Sequence, residues 1–177
     1  MPPPEVITTH RLNLRWIQQG DAASVFHGWS QDADVCRYLT WRPHTDMAQA
    51  LDFVSRGVAA RKAGTEFNYV LTLGESGDVI GDIAARPGEH GIELGYLLAR
   101  RHWGCGYMAE AVTALSNWFL SQSDVFRVWA VCDVDNTGSA RVLEKSGFTR
   151  EGTLHRWVVH PAMSAAPRDS YCYAKTR

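Results

Sequence analysis

Residues 92–111 read IELGYLLARRHWGCGYMAEA, and the fold turns on how this stretch is divided. Ile92 to Leu98 reads as a strand. Five residues separate it from Gly104, and Gly106 follows. The pattern then becomes helical: Met108, Ala111, Val112, Leu115, Trp118 and Phe119 form one apolar stripe on a helix from about Gly106 to Leu120. Two glycines let the backbone come close to a ligand. The free amides of the helix start point at such a ligand, and the helix dipole favours an anion there. Strand, glycine-bearing loop and helix N-terminus together make a cradle for a diphosphate.

Three motifs compete for this loop. A Walker A loop needs a lysine after its last glycine, and the loop has none. Gly104, Gly106 and Ala109 do match the dinucleotide fingerprint G-x-G-x-x-[GA]. That fingerprint, however, opens directly off the first strand of a parallel sheet, whereas this match lies mid-chain after a hairpin. Asp124, about 20 positions on, precedes the next strand rather than ending it. The third pattern is R-x-x-G-x-G, met by Arg101, Gly104 and Gly106.

Outward from the loop, the chain alternates strand and helix signals. Residues 8–16, TTHRLNLRW, alternate as a strand, and Asp21 is placed to cap a short helix through Trp29. Residues 30–45 have no clean period and read as an irregular connection. Asp46 to Ala63 reads as a helix with Met47, Ala50, Leu51, Val54 and Val58 on one face and Gly64 past its end. Phe67–Leu73 and Val79–Ala85 form a hairpin around GESGD, and a glycine-rich turn at 87–91 leads into Ile92. Downstream, Phe126–Cys132 is a strand, and Asn136 or Thr137 caps a helix that ends near Ser146, with Gly147 beyond it. Phe148–Val159 and Ser170–Ala174 are the last strands. Seven strands and four helices in this order predict an α/β fold, a mixed sheet with helices packed on its faces.

Composition narrows the function classes. With 177 residues, 45% apolar and 21% charged, the chain reads as one domain, 1–177, with a real core. Eighteen basic residues face nineteen acidic ones, for a net charge of -1, so no nucleic-acid partner is expected. No apolar run reaches the roughly 18 residues of a membrane span, and MPPPEVITTHR lacks a signal-peptide core, so the expected compartment is the cytoplasm, with no membrane partner. The four cysteines form no C-x-x-C pair and read as thiols. The seven histidines form no H-x-x-x-H pair, so no metal is expected.

The strand ELGYLL, the loop RRHWGCGYM, the helix AEAVTAL, the strand RVWAVCDVDN and then NTGSARVLEKSGF resemble the GNAT acetyltransferase family. The chain is most similar to its RimJ/RimL-type branch, to which THRLNLR, YLTW, GTLHRWVV and RDSYCYA are also similar. The resemblance covers nearly the whole chain. It implies the GNAT acyl-CoA N-acyltransferase fold, with a mixed, mostly antiparallel seven-stranded sheet and helices on both faces. Acetyl-CoA would be the co-substrate, and a primary amine would be the acceptor, attacking the thioester directly. The branch suggests the α-amino group of a protein N-terminus or of an amino-acid-like small molecule; an amine antibiotic is the alternative. A homodimer is compatible with the pattern.

The resemblance also implies roles for residues. Arg101, Gly104, Cys105, Gly106, Tyr107 and Met108 would surround the diphosphate of coenzyme A, with Arg100 or Arg101 adding a charged contact. Tyr96, Leu97 and Leu98 would lie along the pantetheine arm, and Asn136 would face the same cleft. Gly95, inside the strand, signals a bulge or a close approach. Glu93 is the candidate base, acting through water, and a backbone N–H near Leu94–Tyr96 would stabilise the thioester oxygen. Ser139 is the candidate acid. Many relatives carry a tyrosine where this chain has Leu143, so that route to protonating the thiolate is closed.

Each assignment has a plainer counterpart. Glu93 also fits a solvated edge residue, Ser139 and Asn136 fit helix capping, and Trp41 and Trp157 fit packing as well as an acceptor pocket. A coenzyme-A-binding module without catalysis would show the same loop. Acceptor choice falls to loops 30–45, 86–91 and 158–168, whose sequence carries no readable code.

Overall fold

In the computed structural model, residues 2–177 are described. They form one eight-stranded sheet in the order β1-β2-β3-β4-β5-β6-β8-β7. The strands are β1 Val6–Thr8, β2 Leu12–Trp16, β3 Phe67–Leu73, β4 Val79–Gly88, β5 Gly91–Leu98, β6 Arg127–Asp133, β7 Thr149–Val158 and β8 Arg168–Thr176. All neighbours pair antiparallel except β5 and β6, so the sheet is mixed as expected.

The expected count of seven is corrected to eight. The segment expected as one strand over 8–16 turns back on itself at Thr9–Arg11, where the Thr9 amide donates to the Leu12 carbonyl at 2.8 Å. Val6–Thr8 therefore becomes a separate edge strand along β2.

Helices cover both faces. On one face lie α1 (Ala22–Val25), which runs on as a wider turn over Phe26–Ser30, α2 (Ala33–Cys36) and α3 (Met47–Ala63). On the other lie α4 (Tyr107–Leu120) and α5 (Thr137–Lys145). Strand alternation divides the core accordingly. Ile92, Leu94 and Leu98 of β5 pack with Met108, Val112, Leu115 and Leu143. Leu97 packs with Val25, Trp29 and Val54 on the opposite side.

Local chemistry explains the helix limits. Asp46 accepts from the Gln49 amide at 3.1 Å, and Gly64 ends α3 in the left-handed region at φ 71°. Leu51, expected on the buried stripe, lies exposed, and Gly57 takes a place in the contact with β3. Asp21 does not cap forward into α1: its carboxylate accepts from the Gln18 amide at 2.8 Å and pairs with Arg15 at 2.6 Å. The connection expected to be irregular contains α2, capped by Asp32. No helix among the described residues is long and apolar enough to cross a membrane.

Candidate active site

β5 and β6 run parallel and pair only at Ile92↔Val128 and Glu93↔Trp129. Beyond Glu93 the two strands part while both continue, β5 to Leu98 and β6 to Asp133. One backbone edge of Leu94–Leu98 thus faces a gap rather than a strand. Donors and acceptors left unpaired in such a gap suit an extended ligand that adds as a strand.

The loop at the mouth of this gap has the predicted shape. Arg100–His102 make one 3-10 turn, and Gly104 and Gly106 adopt φ 77° and 79°. Such angles are strained for any residue with a Cβ. Among the described residues, the amides of Gly104, Cys105 and Gly106 have no backbone acceptor, and the first α4 bond runs from Glu110 N–H to the Gly106 carbonyl. The Cys105 carbonyl accepts from Arg11 Nη1 at 2.9 Å. Because that peptide is planar and trans, the Gly106 N–H points away from Arg11. Gly104, Cys105 and Gly106 are exposed and Tyr107 is half-buried, whereas the Met108 side chain is core.

A brace that the sequence did not reveal holds this loop. Glu110, in the first turn of α4, accepts from Thr9 Oγ1 at 2.6 Å, the Arg11 amide at 2.8 Å and Arg11 Nε at 2.7 Å. Burial alone would raise the Glu110 carboxyl; these donors hold it below its ordinary range. The Arg11 guanidinium also lies 4.5 Å over the Tyr107 ring. The contact spans 99 positions, too far for any local pattern to signal. Of the two arginines considered for the diphosphate, Arg100 is drawn away to Asp32 and Asp34 at 3.3 and 2.5 Å. Arg101 stays exposed, its Nε 3.0 Å from His102 Nε2.

The remaining candidates separate by face. Tyr96 points toward α5, and its hydroxyl meets Ser139 Oγ at 2.8 Å. Burial pushes the Tyr96 hydroxyl well above its ordinary range. Asn136 caps α5, accepting from the Ser139 amide at 3.1 Å. Cys132 shares this floor, its thiol pushed up to about 11 by burial. Leu143 is fully buried in the core. Leu97 and Leu98 place their side chains in opposite cores, so only their backbone edge meets the gap. Glu93 sits on the other face, half-buried, at the last paired position before the strands part. Gly95 shows no bulge; the close approach there is the Arg86 guanidinium, whose Nη1 lies 2.9 Å from where a Cβ would stand.

The acceptor-side loops meet at the end of β6. Arg168 donates to Asp133 at 2.6 and 3.1 Å and to Asp135 at 2.6 Å. His160 lies 3.5 Å from Asp133, and Tyr38 donates to the Asp135 carbonyl at 3.3 Å. Trp41 packs against His44 and Phe53, whereas Trp157 is exposed.

A gap between parted strands, a loop of free amides at its mouth and polar groups on either side define a class of enzyme, the acyltransferases that take their acyl group from coenzyme A. The GNAT acetyltransferase domain model matches residues 11–149, and the chain belongs to that family. It is 32% identical over 153 residues to an uncharacterized N-acetyltransferase, p20, of Bacillus licheniformis, covering 85% of each chain. A GNAT-family acetyltransferase structure from Bacillus anthracis superposes with a TM-score of 0.84 at 28% identity, covering 97% of this chain and 98% of that one. The RimL ribosomal L7/L12 α-N-protein acetyltransferase in complex with coenzyme A gives 0.85 at 21% identity, with coverage of 97% and 98%. The microcin C7 self-immunity acetyltransferase in complex with acetyl-CoA and AMP gives 0.87 at 17%, with coverage of 99% and 98%. The chain is thus an acetyltransferase of the GNAT fold.

Proposed function

We propose that residues 1–177 act as one domain that moves an acetyl group from acetyl-CoA to a primary α-amine, at a protein N-terminus or on an amino-acid-like small molecule. The observation that carries the reading is the parting of β5 and β6 directly after Glu93, with the loop of free amides at its mouth. The residues present fit the co-substrate. The amides of Gly104–Gly106 and of the first α4 turn suit its diphosphate, and the open edge of Leu94–Leu98 suits its pantetheine amides.

Acetyl-CoA, when bound, supplies an electrophilic thioester carbonyl. Glu93 accepts the proton of the acceptor amine through water, from the face that α1–α3 share. A backbone N–H of Leu94–Tyr96 donates to the oxygen on which charge develops. The Ser139–Tyr96 pair, on the opposite face, supplies a proton to the departing sulfur. A thiol with an ordinary pKa near 8.5 needs little help, so Ser139 assists rather than decides the step.

The fold itself is shared by a ribosomal-protein α-N-acetyltransferase and a microcin immunity acetyltransferase, so it does not choose the acceptor. Thiol release from acetyl-CoA, followed with a chromogenic disulfide, tests the choice. Short peptides with free N-termini and free amino acids are expected to release thiol, and the same peptides blocked at the N-terminus are not. Turnover of amines without an adjacent carbonyl, with peptides and amino acids inert, would overturn the α-amine reading.

A further inference from the structure

On the face of the sheet away from α4, register sets Arg86 opposite Glu93 and Ala84 opposite Gly95. Cross-strand neighbours of opposite charge ordinarily pair. These two do not. Arg86 Nε donates instead to Glu66, at the edge of β3, and the guanidinium crosses diagonally over Gly95. A Cβ at position 95 would stand 2.9 Å from Nη1 and the guanidinium would have to shift, so the missing Cβ makes room for a charge rather than for a bulge.

Two consequences follow. Glu93 has no ion pair or hydrogen bond to another side chain among the described residues. The Nη1 and Nη2 atoms of Arg86 likewise have no acceptor there, although Nε is fixed and the side chain is more than half buried. An anchored guanidinium with a free fork is built to receive an oxygen. It stands over Gly95, the first residue on the Glu93 face past the point where β5 and β6 part.

We propose that Arg86, positioned by Glu66 over Gly95, binds the oxygen of the carbonyl or carboxylate whose carbon lies two bonds from the acceptor amine. The site would thereby select α-amino acids and peptide N-termini over side-chain amines and polyamines. This inference rests on the reading of the gap as the acyl site. Glu66 is a positioning residue: it draws Arg86 away from Glu93, which keeps the carboxylate free to take the proton.

The test compares Ala-Ala with propylamine, an amine lacking the oxygen. With coenzyme A bound, calorimetric titration of the wild type should show Ala-Ala binding about 10- to 100-fold more tightly, the range of a hydrogen bond to a charged group. In turnover, Arg86→Gln should collapse the kcat/KM ratio of the two acceptors toward one, chiefly through KM. Glu66→Gln should lower the same ratio and also shift the acid limb of the pH profile downward, as Arg86 swings to Glu93; a merely structural role for Glu66 would not move that limb. Equal affinity of the wild type for both ligands, or an Arg86→Gln variant that retains the full ratio, would overturn this inference alone. Failure of coenzyme A itself to bind would overturn the cofactor reading and this inference with it.

Discussion

Replacing Asp82 with asparagine should make the protein more stable at neutral pH and leave it nearly unchanged at low pH. Asp82 sits on β4 beneath the helical layer of α1–α3; its Oδ2 is buried and has no partner. Burial pushes its carboxyl up to about 7 from 3.8, with the nearby Glu66 adding to the rise and Arg86 opposing it. A carboxyl held protonated by the fold favours the native state below its ordinary range. That advantage is lost as pH rises toward 7, because the unfolded chain ionises first. Each pH unit in that window costs about 1.4 kcal/mol, so the full penalty approaches about 4 kcal/mol above pH 7. Asparagine is nearly isosteric with the protonated acid and cannot ionise. For a chain of this length, 1 kcal/mol corresponds to about 2–4 °C in Tm. The gap in Tm between Asp82→Asn and wild type should therefore widen by about 10 °C between pH 4.5 and pH 8, read by circular dichroism. A gap that stays constant across that range would refute the claim that Asp82 is sealed from water and held neutral.

Other outcomes follow from the same geometry. Gly106→Val, at φ 79° in the loop, should abolish coenzyme A binding while the circular dichroism spectrum keeps its native form; unchanged affinity would contradict the cradle. Gly91→Ala should lose about 2 kcal/mol or more in urea unfolding, because its φ is 96° and a Cβ would stand 2.3 Å from the Arg127 carbonyl. Glu93→Gln should remove the acid limb of the kcat/KM profile, since a base must be deprotonated to act and glutamine never is; a limb that survives would take Glu93 out of the mechanism. Leu143→Ala should cost about 2–5 kcal/mol in thermal unfolding, as expected for truncating a fully buried leucine.

The strand, glycine loop and helix of residues 92–111 were legible because each part depends on local chemistry: an apolar run, two glycines at positive φ, and a stripe of helical period. The same holds for α3, whose ends are written in Asp46 and Gly64. The eighth strand was not legible. Three residues carry no period of their own, and Val6–Thr8 forms a strand only because the edge of β2 offers partners. Leu51 fits the stripe of α3 but lies on the flank of the face that Ala50, Val54 and Gly57 bury, and which part of a stripe is covered depends on packing rather than on spacing. In the site, the loop and the cap at Asn136 were readable. The contacts Arg11–Glu110, Arg86–Glu66 and Tyr96–Ser139 were not, since they join residues 99, 20 and 43 positions apart whose pairing depends on the order of strands in the sheet.

The brace between Arg11 and Glu110 bears on how the enzyme matures. The amide loop is encoded mid-chain, but its shape is held by residues near the start, across a closure of about a hundred positions. Closures of that span come late, after local helices and hairpins have formed. A chain halted before α4 would carry Arg11 without Glu110, and a chain trimmed through Arg11 would carry the loop without its clamp. Nucleotide affinity should therefore be among the last properties gained on refolding, and its recovery a sensitive reporter that Arg11 and Glu110 have met.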